Sequence, residues 1–235
     1  MAYYDRIARK WHEVTGSHSG AFKKYVLNDV LISKVSDAAG LAILELGAGN
    51  GYFLPLLLRR CSGHRPARVV VTDQSTKLLG LARRHCLVPD AEYLTLDIRR
   101  HFPFEPATFD LILATMVFNE VPTLGLRQAL KECYRVLRPR GRLLATVTHP
   151  QFIESLARRE ELRATPHGVT MPGAENLRLP VVARSIAQYE TLFAAAGFTV
   201  EHEAAFPTEK VFREKPGLRL AGRLPLALVF TDTRP

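Results

Sequence analysis

The stretch Ala42-Ile43-Leu44-Glu45-Leu46-Gly47-Ala48-Gly49-Asn50-Gly51 decides how the rest of this chain is read. Ile43, Leu44 and Leu46 form the short apolar run expected of a parallel strand covered by helices on both faces. The side chains then vanish. Three glycines at alternate positions allow a sharp turn and a close approach of a ligand to the backbone. Tyr52 to Cys61 follows with a helical pattern, so the turn joins the carboxyl end of a strand to the amino end of a helix. Unpaired N–H groups at such a junction face whatever is bound. The spacing disfavours two ligand classes. Tyr52 stands where the G-x-G-x-x-G of dinucleotide binding needs its last glycine, and no Lys-Ser/Thr pair follows to make a triphosphate loop.

Working outward, Ala67 to Thr72 reads as a second apolar strand, ending at Asp73 and Gln74. A strand, a helix and a strand of this length make a right-handed crossover that sets two strand ends side by side. A carboxylate at the second end can accept hydrogen bonds from both ribose hydroxyls of a nucleoside lying across the sheet, or it can cap the helix that begins near Ser75. A third strand, Glu92 to Leu96, ends in Asp97-Ile98. A fourth, Thr108 to Ala114, leads into Thr115 and then Asn119 and Glu120, which face a ligand or, for Glu120, cap the next helix. That helix spans about Thr123 to Leu137, with Leu126, Leu130, Cys133 and Leu137 on one face, and Pro139 stops it. A fifth strand ends in Thr148-His149-Pro150. His149 is thereby expected at the carboxyl edge of the sheet, as a proton acceptor or as a hydrogen-bonded structural residue.

With Asp73 and Asp97 behind it, the run Glu45-Leu46-Gly47-Ala48-Gly49-Asn50-Gly51 resembles the E/D-x-G-x-G-x-G first motif of the class I S-adenosylmethionine-dependent methyltransferases. Leu137-Arg138-Pro139-Arg140-Gly141-Arg142-Leu143 is similar to the family's L-x-P-G-G-x-L, with Arg140 where Gly is common. Tyr4-Asp5-Arg6-Ile7-Ala8-Arg9-Lys10-Trp11 resembles the Y-D-x-x-A-x-x-Y/W leader of its small-molecule branch, type 11/25. The resemblance covers about residues 1–231 and is strongest over 41–150. It implies an α/β fold, a Rossmann-like doubly wound sheet of seven strands, mostly parallel with one antiparallel edge strand, plus an N-terminal helical lid. The implied cofactor is S-adenosylmethionine, with S-adenosylhomocysteine as product. Tyr4 and Trp11 would then belong to the lid, Glu45, Gly47, Ala48, Gly49, Asn50 and Gly51 to the cofactor loop, and Asp73 and Gln74 to the ribose. Asp97 would accept the adenine amino group while Ile98 flanks the ring, and Ala114 and Thr115 would complete the wall. His149, assisted by Glu120 or Asn119, is the expected base for a hydroxyl or protonated amine acceptor. Arg184 matches an arginine that holds an acidic acceptor or bonds to the lid.

The remaining segments give organisation. Residues 1–37 read as two helices, the second about Ser19 to Val35. Residues 151–183 contain Pro166, Gly168, Pro172, Gly173 and Pro180 and read as an insertion over the active site, with helical capacity in Phe152 to Leu162. Arg184 to Phe198 is an amphipathic helix closed by Gly197. Thr199 to Phe206 and Leu224 to Thr231 supply two final strands, an antiparallel pair at one edge. No repeat or break divides residues 1–235, so one domain is expected.

Composition narrows the function classes. Of 235 residues, 47% are hydrophobic and 23% charged, as in ordinary globular proteins. No apolar run approaches a membrane span, and the N-terminus lacks a basic region with an apolar core, so a cytoplasmic protein is expected, a monomer or homodimer. Cys61, Cys86 and Cys133 are odd in number and widely spaced, which favours reduced thiols over disulfides or a metal site. The net charge of +9 leaves an RNA or protein methyltransferase open beside a small-molecule enzyme, although basic residues are scattered and Asn-Pro-Pro-Tyr is missing. A cofactor-binding protein without catalysis is the third reading.

Overall fold

In a computed structural model of the chain, the described residues are 3–15, 22–35, 37–60, 65–85, 88–166, 168–173, 177–214 and 216–235. Strand β1 (Ala42–Glu45) is buried at every position and pairs in parallel with β2 (Arg68–Asp73) on one side and β4 (Phe109–Thr115) on the other. Its runs of Ile and Leu are apolar on both faces because helices cover both. β3 (Glu92–Thr95) extends the sheet beyond β2, and β5 (Leu137–Thr148) extends it beyond β4. The large sheet has the order β3-β2-β1-β4-β5-β10-β9, with β9 at His202–Ala205 and β10 at Ala227–Thr233. β10 runs against both of its neighbours, one strand in from the edge, and β9 lies outermost. The order turns back on itself at β1 and β4, the switch point where open α/β sheets leave a crevice beyond their carboxyl ends.

Helices α3 (Phe53–Arg60), α4 (Thr76–His85) and α5 (Thr123–Val136) follow β1, β2 and β4 as crossovers. Two large apolar clusters form the core, one on each side of the sheet. Leu27, Leu31, Phe53 and Leu57 lie in the first; Leu126, Leu130, Cys133, Tyr189 and Phe193 in the second. Helix α7 (Ile186–Ala195) begins at a reciprocal cap between Ser185 and Gln188, and Gly197 after it has φ +103°. Cys133 is buried with a free thiol; Cys61 and Cys86 lie outside the described residues.

The structure departs from the sequence reading in four places. The second helix begins as a π-helical turn, Lys23–Leu27, which passes into α2 (Asn28–Ser33). Helix α5 ends at Val136, and Leu137 is already extended as the start of β5. Arg140 has φ +66°, the left-handed conformation that glycine adopts without penalty. The insertion is more ordered than its prolines suggest: α6 (Pro150–Arg158) is followed by a second, antiparallel sheet of β6 (Arg163–Thr165), β7 (Gly168–Pro172) and β8 (Arg178–Val181). Among the described residues no helix is long and apolar enough to cross a membrane.

Candidate functional site

The glycine turn has the conformation its sequence requires. Gly47, Gly49 and Gly51 have φ of +62°, +62° and +76°, where an L side chain is strained. A Cβ on Gly47 would fall 2.6 Å from Val117 Cγ2, so the loop after β4 packs directly on this backbone. Ala48 donates its N–H to Thr72 O at 2.9 Å, and Gly49 donates to Asp73 Oδ2 at 2.8 Å, which locks the turn to the end of β2. The other Asp73 oxygen accepts from Ser75 N at 2.8 Å. Asp73 thus braces Ser75, the cap of α4 whose Oγ accepts from Leu78 N at 3.1 Å, and forms part of the cavity wall; burial raises its pKa against the opposing effect of these N–H donors.

Helix α1 (Tyr3–Thr15) lies across this junction. Tyr4 and Ala8 pack on Leu78 of α4, with Tyr3, Ile7 and Trp11 around them. Asp5 Oδ1 accepts from Ser75 Oγ at 2.6 Å and from Lys77 N at 3.3 Å, and Asn50 Nδ2 donates to Thr15 Oγ1 at 3.2 Å. Beneath α1 is a cavity of about 700 Å³. One end is walled by Gly47, Ala48, Gly49, Asn50, Asp73, Gln74, Asp97 and Ile98; the middle by Thr115, Met116, Asn119, Glu120 and Thr148; the far end by Phe152, Leu156, Arg159, Met171 and Leu179 of the insertion.

Charge around Lys23 is out of balance. Burial pushes Glu120 up to about 8, with the hydrogen bond it accepts from the Tyr4 hydroxyl pulling the other way and Asp73 adding to the rise. Glu45 is pushed up to about 8 by burial, against the attraction of Lys23. Lys23, on the π-helical turn, is pushed down to about 8 by burial while Glu120, Glu45 and Asp73 pull it back up. Its ammonium stands over the Tyr52 and Trp11 rings at 4.9 and 5.6 Å. Around Lys23, three carboxyl groups, with Glu45 behind the wall, thus act on one ammonium, while Arg99 and Arg159 line other parts of the cavity. Glu45 Oε2, Asn119 Oδ1 and Thr148 Oγ1 are buried without a hydrogen-bond partner.

Of the expected residues, Tyr4, Trp11, Gly47, Ala48, Gly49, Asn50, Asp73, Gln74, Asp97, Ile98, Thr115, Asn119 and Glu120 meet around this cavity. Glu45, Gly51 and Ala114 stand behind the wall: Glu45 is buried near Lys23, Gly51 closes the turn on Ala48 O at 3.0 Å, and Ala114 is core. Asp97 reaches the cavity with both oxygens already taken by Arg99 at 2.8 Å.

His149 lies apart from this group. It is not among the cavity-lining residues, and its Nδ1 accepts from Gln151 N at 3.2 Å as the N-cap of α6. Residues alternate along an extended chain, so it shares the face of Val147, away from Thr148. Burial lowers its pKa. Arg184 does not reach the cavity either; it donates to the carbonyls of Phe118 and Val121 and so fixes the loop that presents Asn119 and Glu120. Lys23, Met116, Thr148 and Arg159 line the cavity without having been singled out. Only Thr148 left a sequence signal, by strand parity with Thr146. Among the described residues no group of three His, Cys, Asp or Glu side chains is placed to hold a metal.

Comparison with known proteins agrees with this geometry. A family model described as a methyltransferase domain matches residues 43–141. The chain is 34% identical over 116 residues to malonyl-[acyl-carrier protein] O-methyltransferase 1 of Coxiella burnetii, covering 49% of this chain and 36% of that protein. It is 30% identical over 120 residues to demethylmenaquinone methyltransferase of Lactiplantibacillus plantarum, covering 50% and 49%. The chain thus spans about a third to a half of these curated relatives. Among solved structures, an S-adenosylmethionine-dependent methyltransferase from Mesorhizobium loti superimposes with a TM-score of 0.69 at 19% identity, over 93% of this chain and 100% of that one. At that identity the likeness is one of fold.

Proposed function

We propose that the protein, whose residues 43–141 match a methyltransferase-domain family model, transfers a methyl group from S-adenosylmethionine to an oxygen or nitrogen of a small molecule. The observation that carries this reading is the continuity of one roofed cavity from the glycine turn and Asp73, past Glu120, to the insertion. Enclosure by α1 and the small sheet favours a small acceptor over a nucleic acid or protein. The acceptors in the names of the two relatives, an acyl-carrier-bound malonyl group and a demethylmenaquinone, point the same way.

The residues fit the cofactor. Asp73 keeps lone pairs for the ribose hydroxyls beyond the two N–H donors it already holds. Gly47 and Gly49 let the methionine tail approach the backbone, with the Lys23 ammonium available to its carboxylate. The excess of carboxyl groups around Lys23 suits a cationic sulfonium. That sulfonium supplies the electrophilic methyl; the protein supplies position and proton transfer.

For an acceptor that must lose a proton, we assign that role to Glu120. A cation beside it lowers its pKa from about 8 toward neutrality and makes it a base. Asn119, whose Oδ1 is buried and unpaired beside the cavity, is assigned to orienting the acceptor. Calorimetry with S-adenosylhomocysteine, followed by a labelled-methyl transfer screen, tests the proposal. The expected result is binding at a single site and label on a small acceptor. Absence of heat with S-adenosylhomocysteine would overturn it.

A further inference from the structure

The far end of the cavity says something about the acceptor. Phe152, Leu156 and Arg159 follow at spacings of four and three, so α6 and its C-cap present one face to the cavity, apolar until its last position. Thr148 precedes the helix and Arg159 follows it. The nine residues between its ends span about 14 Å at the α-helical rise. Met171 and Leu179 of the small sheet line the same end of the cavity and pack in one apolar cluster with Phe152 and Leu156. The inner end of this passage holds the unpaired Thr148 Oγ1; the outer end holds Arg159, whose Nε and Nη1 are buried without a hydrogen-bond partner.

A guanidinium at the end of an apolar passage needs an anion. Glu161 supplies one in part: its Oε1 lies 2.6 Å from Arg159 Nε as an ion pair, but no hydrogen bond to that nitrogen is formed. The two side chains are 27% and 35% exposed, so the pair is screened and replaceable. A ligand carboxylate that displaced Glu161 would take over the charge-assisted pairing with the guanidinium.

Building on the methyltransferase reading above, we propose that the acceptor is an elongated apolar acid: its nucleophilic end lies by Thr148 and Glu120, and a carboxylate at its other end is held by Arg159. The apolar body gains its affinity from Phe152, Leu156 and the small sheet, while Arg159 discriminates the acid from its neutral derivatives.

The test is titration of ω-hydroxydecanoate and of its neutral methyl ester into the protein, with and without saturating S-adenosylhomocysteine. The acid is expected to bind about tenfold more tightly than the ester, the effect of one charge-assisted hydrogen bond. Arg159→Met keeps much of the side-chain stem and is expected to erase that preference while leaving S-adenosylhomocysteine affinity unchanged. Glu161→Gln, which removes the competing carboxylate, is expected to tighten the acid severalfold and leave the ester as it was. Equal binding of acid and ester by the wild type, or a preference that survives Arg159→Met, overturns the proposal. Failure of S-adenosylhomocysteine to bind would overturn the cofactor reading instead, because the acid preference is measured without it as well.

Discussion

The two ends of the cavity are built from different materials. The cofactor end is made of backbone: Gly47 and Gly49 in left-handed conformation, the N–H groups of Ala48 and Gly49, and a single carboxylate, Asp73, that ties the turn to α4. The acceptor end is made of side chains from an inserted helix and a small sheet whose outer strand is exposed, Phe152, Leu156, Arg159, Met171 and Leu179. A backbone site tolerates few sequences, because only glycine adopts such φ values without strain. A side-chain site can be rebuilt residue by residue while the sheet below stays as it is. One fold can therefore hold a constant cofactor and change its acceptor.

Glu120 stands at the boundary, and its substitution should separate the two ends most clearly. Glu120→Gln is expected to lower turnover about 100-fold or more, as loss of a general base does, with S-adenosylhomocysteine affinity within about twofold of wild type by calorimetry. Wild-type turnover should fall as pH drops below the Glu120 pKa, which lies below its unliganded value of about 8 once a cation is bound; the variant should lack this limb. Stability carries the opposite sign. The folded pKa values of Glu45 and Glu120 lie near 8, above the ordinary 4.5, so between these values the native state holds more protons than the unfolded one. Their contribution is full below about pH 4.5 and declines as pH rises through about 8. Denaturant titrations across that range should show the decline in unliganded protein and a shallower slope with the cationic cofactor present.

At the cofactor end, Asp73→Ala should weaken S-adenosylhomocysteine about 100-fold, the equivalent of two hydrogen bonds to a charged group. An affinity within tenfold of wild type would place the ribose elsewhere. Gly47→Ala should destabilise the fold by about 2 kcal/mol from strain at positive φ, and by more if Val117 cannot move from the new Cβ; thermal unfolding reads it directly. Arg140→Gly should be the smallest effect, a gain of up to about 1 kcal/mol from relief of a left-handed arginine. A loss there would mean that the arginine side chain has a role of its own.

The same contrast explains what could be read in the chain before its structure. The glycine turn and the strand ends at Asp73 and Asp97 leave local marks, since each depends on residue type at a fixed offset. The sheet follows from runs such as Leu111-Ile112-Leu113-Ala114. The small sheet leaves little mark, because β6 is exposed throughout and Pro172 and Pro180 interrupt the pattern of its neighbours. Lys23 and Arg159 acquire their roles only from distant elements that bury them. Met116 adopts φ +61° at the cavity, and nothing in a methionine announces it. His149 stands one position past Thr148, and the alternation of an extended chain turns its side chain to the opposite face.

One tie between α1 and the rest has a consequence for timing. Asp5 reaches from α1 to serve the first turn of α4, accepting from Ser75 Oγ and Lys77 N. Swinging α1 outward to admit or release a nucleoside would strip that turn of its borrowed acceptor. Deuterium uptake at the Lys77 amide should therefore report how often the roof opens, and Asp5→Ala should quicken both that uptake and the departure of S-adenosylhomocysteine.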